Sequence, residues 1–420
     1  MSILCGTDLS DASRGALDVA RALAAQRGDR EIVLVHVADT EPDDRELPAL
    51  RARLDAQAAG ATGPGPSVRP ELAVGPADET LVHLAETLAS DLIVIAAHSR
   101  GHGPSRLGTT AAHVIERTHV PVIVVRDPTP WLAFARGDRP LRVLLGIDDS
   151  ATCDLGVQWT LALGKRGPID VVLGAIYYPD DAAAYYGLPA RSLVEIDPEI
   201  ERLLQRDLLR RFGGPAAPIA RSVTARARRG LGRIGDHVIE LAREENVDAI
   251  VVGTSQKTGL GRLGSVSSVI VEDAPESVVC VPPHAVVVTQ TVPIIGQALV
   301  ATDLSQFANR AVPYAFALAQ PAGEVHILHV VKDDAEIDEP DLLRQLAALA
   351  PIGAPQKLSA HVVRGDDTAE TIAQCAARFG VDVICIASHG RSGITRALVG
   401  SVADRVLRAT RLPVLVLRPA

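Results

Sequence analysis

The chain reads as an α/β protein made of three tandem doubly wound domains, each a five-stranded parallel sheet. Three observations predict this. Continuous apolar runs of strand length alternate with helical stretches, the pattern of parallel sheets buried on both faces. The same ordered signals occur three times along 420 residues, a length at which one core splits into units of roughly 100 to 150 residues. Apolar residues make up 47% of the chain but aromatics only 3%, so Val, Ile, Leu and Ala must fill the cores.

Each copy opens with an apolar strand that ends in an acid and a serine: residues 3–10 (ILCGTDLS), 143–150 (VLLGIDDS) and 298–305 (ALVATDLS). The hydroxyls of Ser10, Ser150 and Ser305 are suited to accept an orphan N–H in a first helical turn, so an amphipathic helix is expected after each. A second strand follows at 31–37 (EIVLVHV), 170–176 (DVVLGAI) and 324–331 (EVHILHVV). Later come continuous apolar strands at 91–97, 248–254 and 382–388, each running into a Gly-rich loop and a helix. A last strand closes each copy: 121–125 (PVIVV), 277–281 (SVVCV) and 413–417 (PVLVL). The expected domains are 1–128, 139–285 and 294–420. The stretches 131–140 (WLAFARGDRP) and 282–293 between them carry Pro and polar residues, as short linkers do.

A net charge of −9 provides no broad positive field for nucleic acid or anionic lipid. The first strand starts at Ile3 without a basic-then-apolar leader, and no apolar stretch approaches the ~20 residues that span a bilayer. No membrane partner and a cytoplasmic location are therefore expected. Cys5, Cys153, Cys280, Cys375 and Cys385 form an odd set without C-x-x-C spacing, which reads as small buried hydrophobes in a reducing compartment.

In open parallel sheets, ligands bind beyond the carboxyl ends of the strands where strand order reverses, and helix N-termini there offer N–H groups to anions. The Gly-rich loop of copy three runs from Ala387 through His389, Gly390 and Gly393 to Gly400-Ser401, directly before a helix. Glycines let the main chain approach a phosphate, and the helix dipole favours negative charge. A phosphate cradle is thus expected from these residues themselves.

This loop resembles that of the universal stress protein family, G-x-x-G, nine residues, then G-S or G-T, with Ala387 in place of the first Gly. The closing SVADRVLRATRLPVLVLRP, the opening strand with Asp303, the His329-Val330 pair and Gly365 also resemble the family, so the likeness covers essentially the whole copy. It implies a Rossmann-like, adenine nucleotide alpha hydrolase-like fold and ATP as cofactor, with or without Mg2+. It further implies that Val330 binds adenine through its main chain, that Asp303 lies near the nucleotide, and that Gly390, Gly400, Ser401 and Val402 hold the phosphates. Ala387 and His389 count among the same nucleotide-binding positions.

The other copies depart from this pattern. In copy one the loop 98–109 has three fewer residues between its glycines. In copy two Gln256 stands where a Gly is wanted, only seven residues separate it from Gly264-Ser265, and the His-Val pair is missing. Their candidate positions are Asp8, Val37, Gly108 and Thr109 in copy one, and Thr254, Gly264 and Ser265 in copy two. Weak, different or no nucleotide binding is expected of both.

Several other patterns invite a function. The G-x-G-x-x-G string 230–235 follows ARARR rather than an apolar strand, so it reads as a strand-to-helix turn and not a dinucleotide fingerprint. The matching string 259–264 coincides with the repeated loop. Residues 103–109 have P-loop-like spacing without its Lys. His98, His102, His113 and His119 cluster, but Gly101 and Gly103 oppose a helix that would align the first two on a metal. No catalytic triad or paired-carboxylate set appears, so no enzyme activity is expected. Tyr177, Tyr178, Tyr185 and Tyr186 crowd into copy two; covering a pocket, meeting a partner and packing on their own domain all remain open for them.

The resulting expectation is a nucleotide-binding stress-response protein with its intact site in copy three. The family resemblance also implies pairing through the last strand, hence a homodimer through a terminal strand edge. An interaction scaffold that binds no nucleotide is the rival reading.

Overall fold

The computed structural model describes residues 2–60, 65–97, 108–148, 150–189, 197–213, 220–254, 265–285, 294–387 and 401–418. Contacts divide the chain into two units, Met1–Tyr177 with Leu204–Gln290, and Tyr178–Leu203 with Thr291–Ala420. Among the described residues, no helix is long and apolar enough to cross a membrane.

Copy one follows the expected alternation: β1 (Ile3–Gly6), α1 (Asp11–Arg27), β2 (Glu31–Ala38), α2 (Glu46–Ala59), β3 (Ser67–Val74), α3 (Ala77–Thr87), β4 (Leu92–Ala96), α4 (Thr109–Arg117) and β5 (Val122–Val125). Ser10 starts α1 as predicted. Its hydroxyl accepts Ser13 N–H at 3.2 Å while Ser13 Oγ accepts Ser10 N–H at 3.1 Å, a reciprocal cap that satisfies two orphan donors.

The stretch expected to be a linker is instead a helix, α5 (Thr129–Arg136), with Pro130 in its first turn and Gly137 closing it at φ 75°. Trp131 and Phe134 are fully buried, because two large rings cannot be left in water at a domain joint without a large hydrophobic cost. The helix packs on α1.

Copy two continues with β6 (Leu141–Gly146), α6 (Ala151–Gly164), β7 (Ile169–Tyr177), α7 (Pro179–Tyr186), α8 (Pro198–Arg211), β8 (Ser222–Arg229), α9 (Ile234–Glu244), β9 (Ala249–Gly253), α10 (Val266–Asp273) and β10 (Ser277–Val281). Ser150 caps α6 by accepting Cys153 N–H at 3.3 Å. The string 230–235 forms the turn from β8 into α9 and places Gly232 at φ 88°, as the sequence predicts.

In the first unit the two five-strand sets join into one ten-stranded sheet, ordered β3-β2-β1-β4-β5-β10-β9-β6-β7-β8. The seam is antiparallel, with Val122 opposite Cys280, Ile123 opposite Val279 and Val124 opposite Val278. Every residue of β5 and β10 is buried. Arg126, just past β5, donates to the carbonyls of Val271 and Glu272 at 2.8 and 3.2 Å. A cation there complements the negative end of α10.

Copy three builds β11 (Gln297–Ala301), a 3-10 turn at Ala308–Ala311, α11 (Val312–Leu318), β12 (Glu324–Val331), α12 (Glu339–Ala347), β13 (Lys357–Arg364), α13 (Thr368–Phe379), β14 (Val383–Ala387), α14 (Ser401–Ala409) and β15 (Val414–Leu417). Its all-parallel sheet is ordered β13-β12-β11-β14-β15. Ser305, expected as a helix N-cap, is not one: the 3-10 turn has Phe307 at its N-cap position without a side-chain cap bond, although Ser305 Oγ, two residues earlier, accepts Ala308 N–H at 3.1 Å. The expected α-helix begins only at Val312, with Pro313 in its first turn.

Candidate functional site

The sheet of copy three reverses strand order between β11 and β14, so the carboxyl ends of these strands mark the place for a ligand. Register brings the predicted residues to one level there. Ala301 pairs with Leu328 on one side and Ile386 on the other, so Asp303, Val330 and Ala387 lie one or two residues beyond a shared row. Ser401 and Val402 open α14, and Val402 is 39% exposed. Ser388 to Gly400, which include the predicted His389, Gly390 and Gly400, lie outside the described residues, as does the Ser401 side chain.

The turn after β11 is tightly determined. Asp303 Oδ1 accepts Ser305 N–H at 2.9 Å, and Leu304 N–H donates to Thr302 Oγ1 at 3.0 Å. Thr302 Oγ1 in turn donates to Asn309 Oδ1 at 2.7 Å. These bonds hold Leu304 at φ 65°, a left-handed conformation costing a non-Gly residue roughly 1–2 kcal/mol. His329 Nδ1 lies 2.8 Å from the Thr302 carbonyl. A carbonyl only accepts, so Nδ1 carries the hydrogen.

Copy one repeats this device: Leu9 N–H donates to Thr7 Oγ1 at 2.9 Å, His36 Nδ1 lies 2.8 Å from the Thr7 carbonyl, and Leu9 sits at φ 61°. Asp8 accepts the N–H of Ser10 as Asp303 does that of Ser305. Sequence reasoning passed over Thr302, Asn309 and His329 as a set. The signal available was the Thr-Asp dipeptide common to copies one and three, which copy two replaces with Ile147-Asp148.

A second support lies across the same end of the sheet. Gly365 N–H donates to the Val331 carbonyl at 2.9 Å. Asp367 caps α13, one oxygen accepting Ala369 and Glu370 N–H at 3.2 and 3.3 Å. Its other oxygen binds Arg405 of α14. The start of α13 and the second turn of α14 are thereby tied together. The exposed Asp303 is the carboxylate nearest in sequence to the turn for any companion cation.

In the other two copies several candidate positions are engaged with protein groups. In copy one Val37 lies near the end of β2 and the exposed Thr109 opens α4, but Gly108 N–H is spent on the Ala97 carbonyl at 3.0 Å. In copy two Thr254 is 4% exposed and its N–H and hydroxyl both face the Val281 carbonyl, at 2.9 and 3.5 Å. Ser265 is engaged as the N-cap of α10, accepting Ser268 N–H at 3.2 Å. Asp148 accepts the N–H of Ser150 at 2.9 Å. Arg211 lies across this turn, bonded to the carbonyls of Asp148 and Ser150 and to Asp154. Gly264, Gln256 and the loop 98–107 with His98 and His102 lie outside the described residues. Among the described residues no cluster of His, Cys, Asp and Glu could hold a metal.

Three repeats of a doubly wound domain define a protein of the doubly wound α/β class. The sequence profile of the universal stress protein family matches residues 1–126, 141–282 and 295–418, and the chain belongs to that family. A universal stress protein of Mycobacterium tuberculosis (strain ATCC 25618 / H37Rv) is 28% identical over 301 residues, covering 66% of this chain and 96% of that protein. Universal stress protein G of Escherichia coli O157:H7 is 29% identical over 131 residues, 27% of this chain and 90% of that protein. Among solved structures, a universal stress protein from Archaeoglobus fulgidus DSM 4304 aligns with a TM-score of 0.46 at 18% identity, covering 67% of this chain and 98% of that one. A universal stress protein crystallised in complex with cAMP aligns with a TM-score of 0.26 at 23% identity over 30% of this chain and the whole of that one.

Proposed function

We propose that this chain is an ATP-binding stress-response protein of the cytoplasm, that copy three holds the nucleotide, and that it binds rather than turns over its ligand. The observation that carries the reading is the level placement of Asp303, Val330 and Ala387 beyond the carboxyl ends of the switch-point strands, with the Thr302–Asn309–His329 bonds holding the turn after β11 and Asp367–Arg405 tying α14 to α13. In this reading the Val330 main chain meets adenine, the turn at Asp303 faces the ribose and phosphates, and the start of α14 neutralises phosphate charge. Copies one and two are partners of one ten-stranded sheet. Arg211, Thr254 and Ser265 in copy two and Gly108 in copy one are already spent on protein groups.

The edge position of β15, whose outer side no described strand covers, supports a homodimer. In the first unit β5 is covered by β10, whereas β15, the counterpart of β5 in copy three, is only half-buried along its length. Arg418 follows β15 as Arg126 follows β5. A second copy of the chain would cover β15 antiparallel, with each Arg418 meeting the carbonyl end of the partner's α14.

Equilibrium binding of ATP to the full chain tests the nucleotide reading, with Val402→Glu and Gly400→Leu as variants. Glu at the second position of α14 complements the helix dipole, so folding is preserved while phosphate is repelled. The expected loss is about tenfold in affinity, the equivalent of one unit-charge contact of ~1 kcal/mol or slightly more. Wild-type protein that binds no ATP supports the scaffold instead, and steady product formation supports an enzyme.

A further inference from the structure

The tyrosine-rich stretch of copy two has no role in the nucleotide reading. Its helix α7 belongs to the second unit and packs against α13. Ala182, Ala183 and Tyr186 are buried, Tyr186 to 1% exposure, whereas Tyr185 is 43% exposed. The two tyrosine rings meet edge-on with centroids 4.9 Å apart. Gly187 ends the helix at φ 62°, and a Cβ there would come within 2.8 Å of Gln374 Oε1 on α13. Gln374 Nε2 donates to the Ala184 carbonyl at 3.4 Å, so a side chain of α13 adds a second bond to a carbonyl that accepts the Gly187 N–H at 3.2 Å.

An eight-residue helix is not stable alone in water. The burial of Ala182, Ala183 and Tyr186 and the docking on α13 at Gln374 therefore support α7, and the docking depends on the position of α13. Helix α13 is in turn tied through Asp367 to Arg405 on α14, the helix that opens the candidate site. A contiguous path of packed groups thus runs from α7 through α13 to α14.

We infer that α7 is an intrachain brace whose docking on α13 positions the first turn of α14 for an adenine nucleotide, with Tyr186 and Gln374 as positioning residues. The inference rests on the reading of copy three as a nucleotide site. By linkage, a brace that strengthens nucleotide binding must itself be strengthened by nucleotide, by the same factor.

The test is hydrogen exchange of the full chain with and without ATP, together with ATP affinity. Bound ATP is expected to slow exchange of the amides of 182–187 by roughly fivefold. Tyr186→Ala is expected to weaken ATP binding by a similar factor, and Tyr186→Phe to restore it. Gln374→Ala, at a half-exposed position that threatens folding less, is expected to weaken binding in the same direction. A wild-type chain that binds ATP while its 182–187 amides exchange unchanged overturns the brace alone, as does unchanged affinity in both the Tyr186→Ala and Gln374→Ala variants. A wild-type chain that binds no ATP overturns the nucleotide reading and this inference with it.

Discussion

Gly365 provides a sharp test of how the site end of copy three is assembled. It joins β13 to α13, and a Cβ added there would lie 2.1 Å from Thr371 Oγ1 and 3.2 Å from both Thr371 Cβ and Cγ2. Thr371 cannot simply turn away, because its hydroxyl donates to the Asp367 carbonyl at 2.8 Å in the first turn of α13. Gly365→Ala must push the strand end from the helix or break that bond. Overpacking of this kind costs about 1–3 kcal/mol, which accelerates exchange of the α13 amides by roughly 5- to 150-fold. Thr371→Ala alone loses a hydrogen bond worth about 1 kcal/mol. It also removes the obstructing atoms, so the double variant is expected to exchange no faster than Thr371→Ala alone. Hydrogen exchange followed by mass spectrometry on peptides spanning 365–379 reads all four members of the cycle. If Gly365→Ala exchanges like wild type, or if the two changes simply add, the steric argument is wrong.

Leu415→Lys places a charge at the centre of the β15 edge and is expected to convert a dimer to a monomer in light scattering after gel filtration; a wild-type chain that is already monomeric removes the dimer proposal. His361, His326 and Phe379 form a mutual three-ring cluster, with His361 centroids 5.3 and 4.3 Å from the other two and those two 5.1 Å apart. Burial holds its pKa below the ordinary 6.5, against the opposing pull of Glu324. The unfolded chain then takes up a proton that folded His361 refuses, so stability is full above about pH 6.5 and falls as pH drops below it. His361→Gln is expected to flatten the decline in urea midpoint between about pH 7.5 and 5.5; an unchanged decline would mean that other groups cause it. Burial also pushes the Cys153 and Cys375 thiols up to about 11 and those of Cys280 and Cys385 to about 12, with Cys5 raised further. Iodoacetamide at neutral pH is therefore expected to modify none of the five until the protein is unfolded, and rapid labelling of any in native protein contradicts that burial.

Apolar runs made four strands of every copy readable, because parallel strands covered on both faces must be apolar throughout. The third strand was not located. β3, β8 and β13 are edge strands of SVRPELAV, SVTARARR and KLSAHVVR, half-exposed and polar on one side; Pro70 is tolerated because an edge has an unpaired side. Serine caps were readable from local chemistry at Ser10 and Ser150, yet Ser305 only precedes a 3-10 turn where α1 and α6 start directly. The stretch 131–140 looked like a linker because it holds Pro, Gly and charge, and only its packing on α1 shows why Trp131 and Phe134 are there.

The repeat, the strand-and-helix alternation, the buried thiols and the Gly-rich loops at helix starts follow from local residue patterns, and the sequence by itself determined them. What only the tertiary structure decided is which surfaces meet. It joined β5 to β10, left β15 half-covered, set Arg211 across the turn of copy two and docked α7 on α13. The physical reason is that periodicity and capping are properties of neighbouring residues, whereas an edge, a plug or a docking face depends on the burial and hydrogen bonding of groups far apart in the chain.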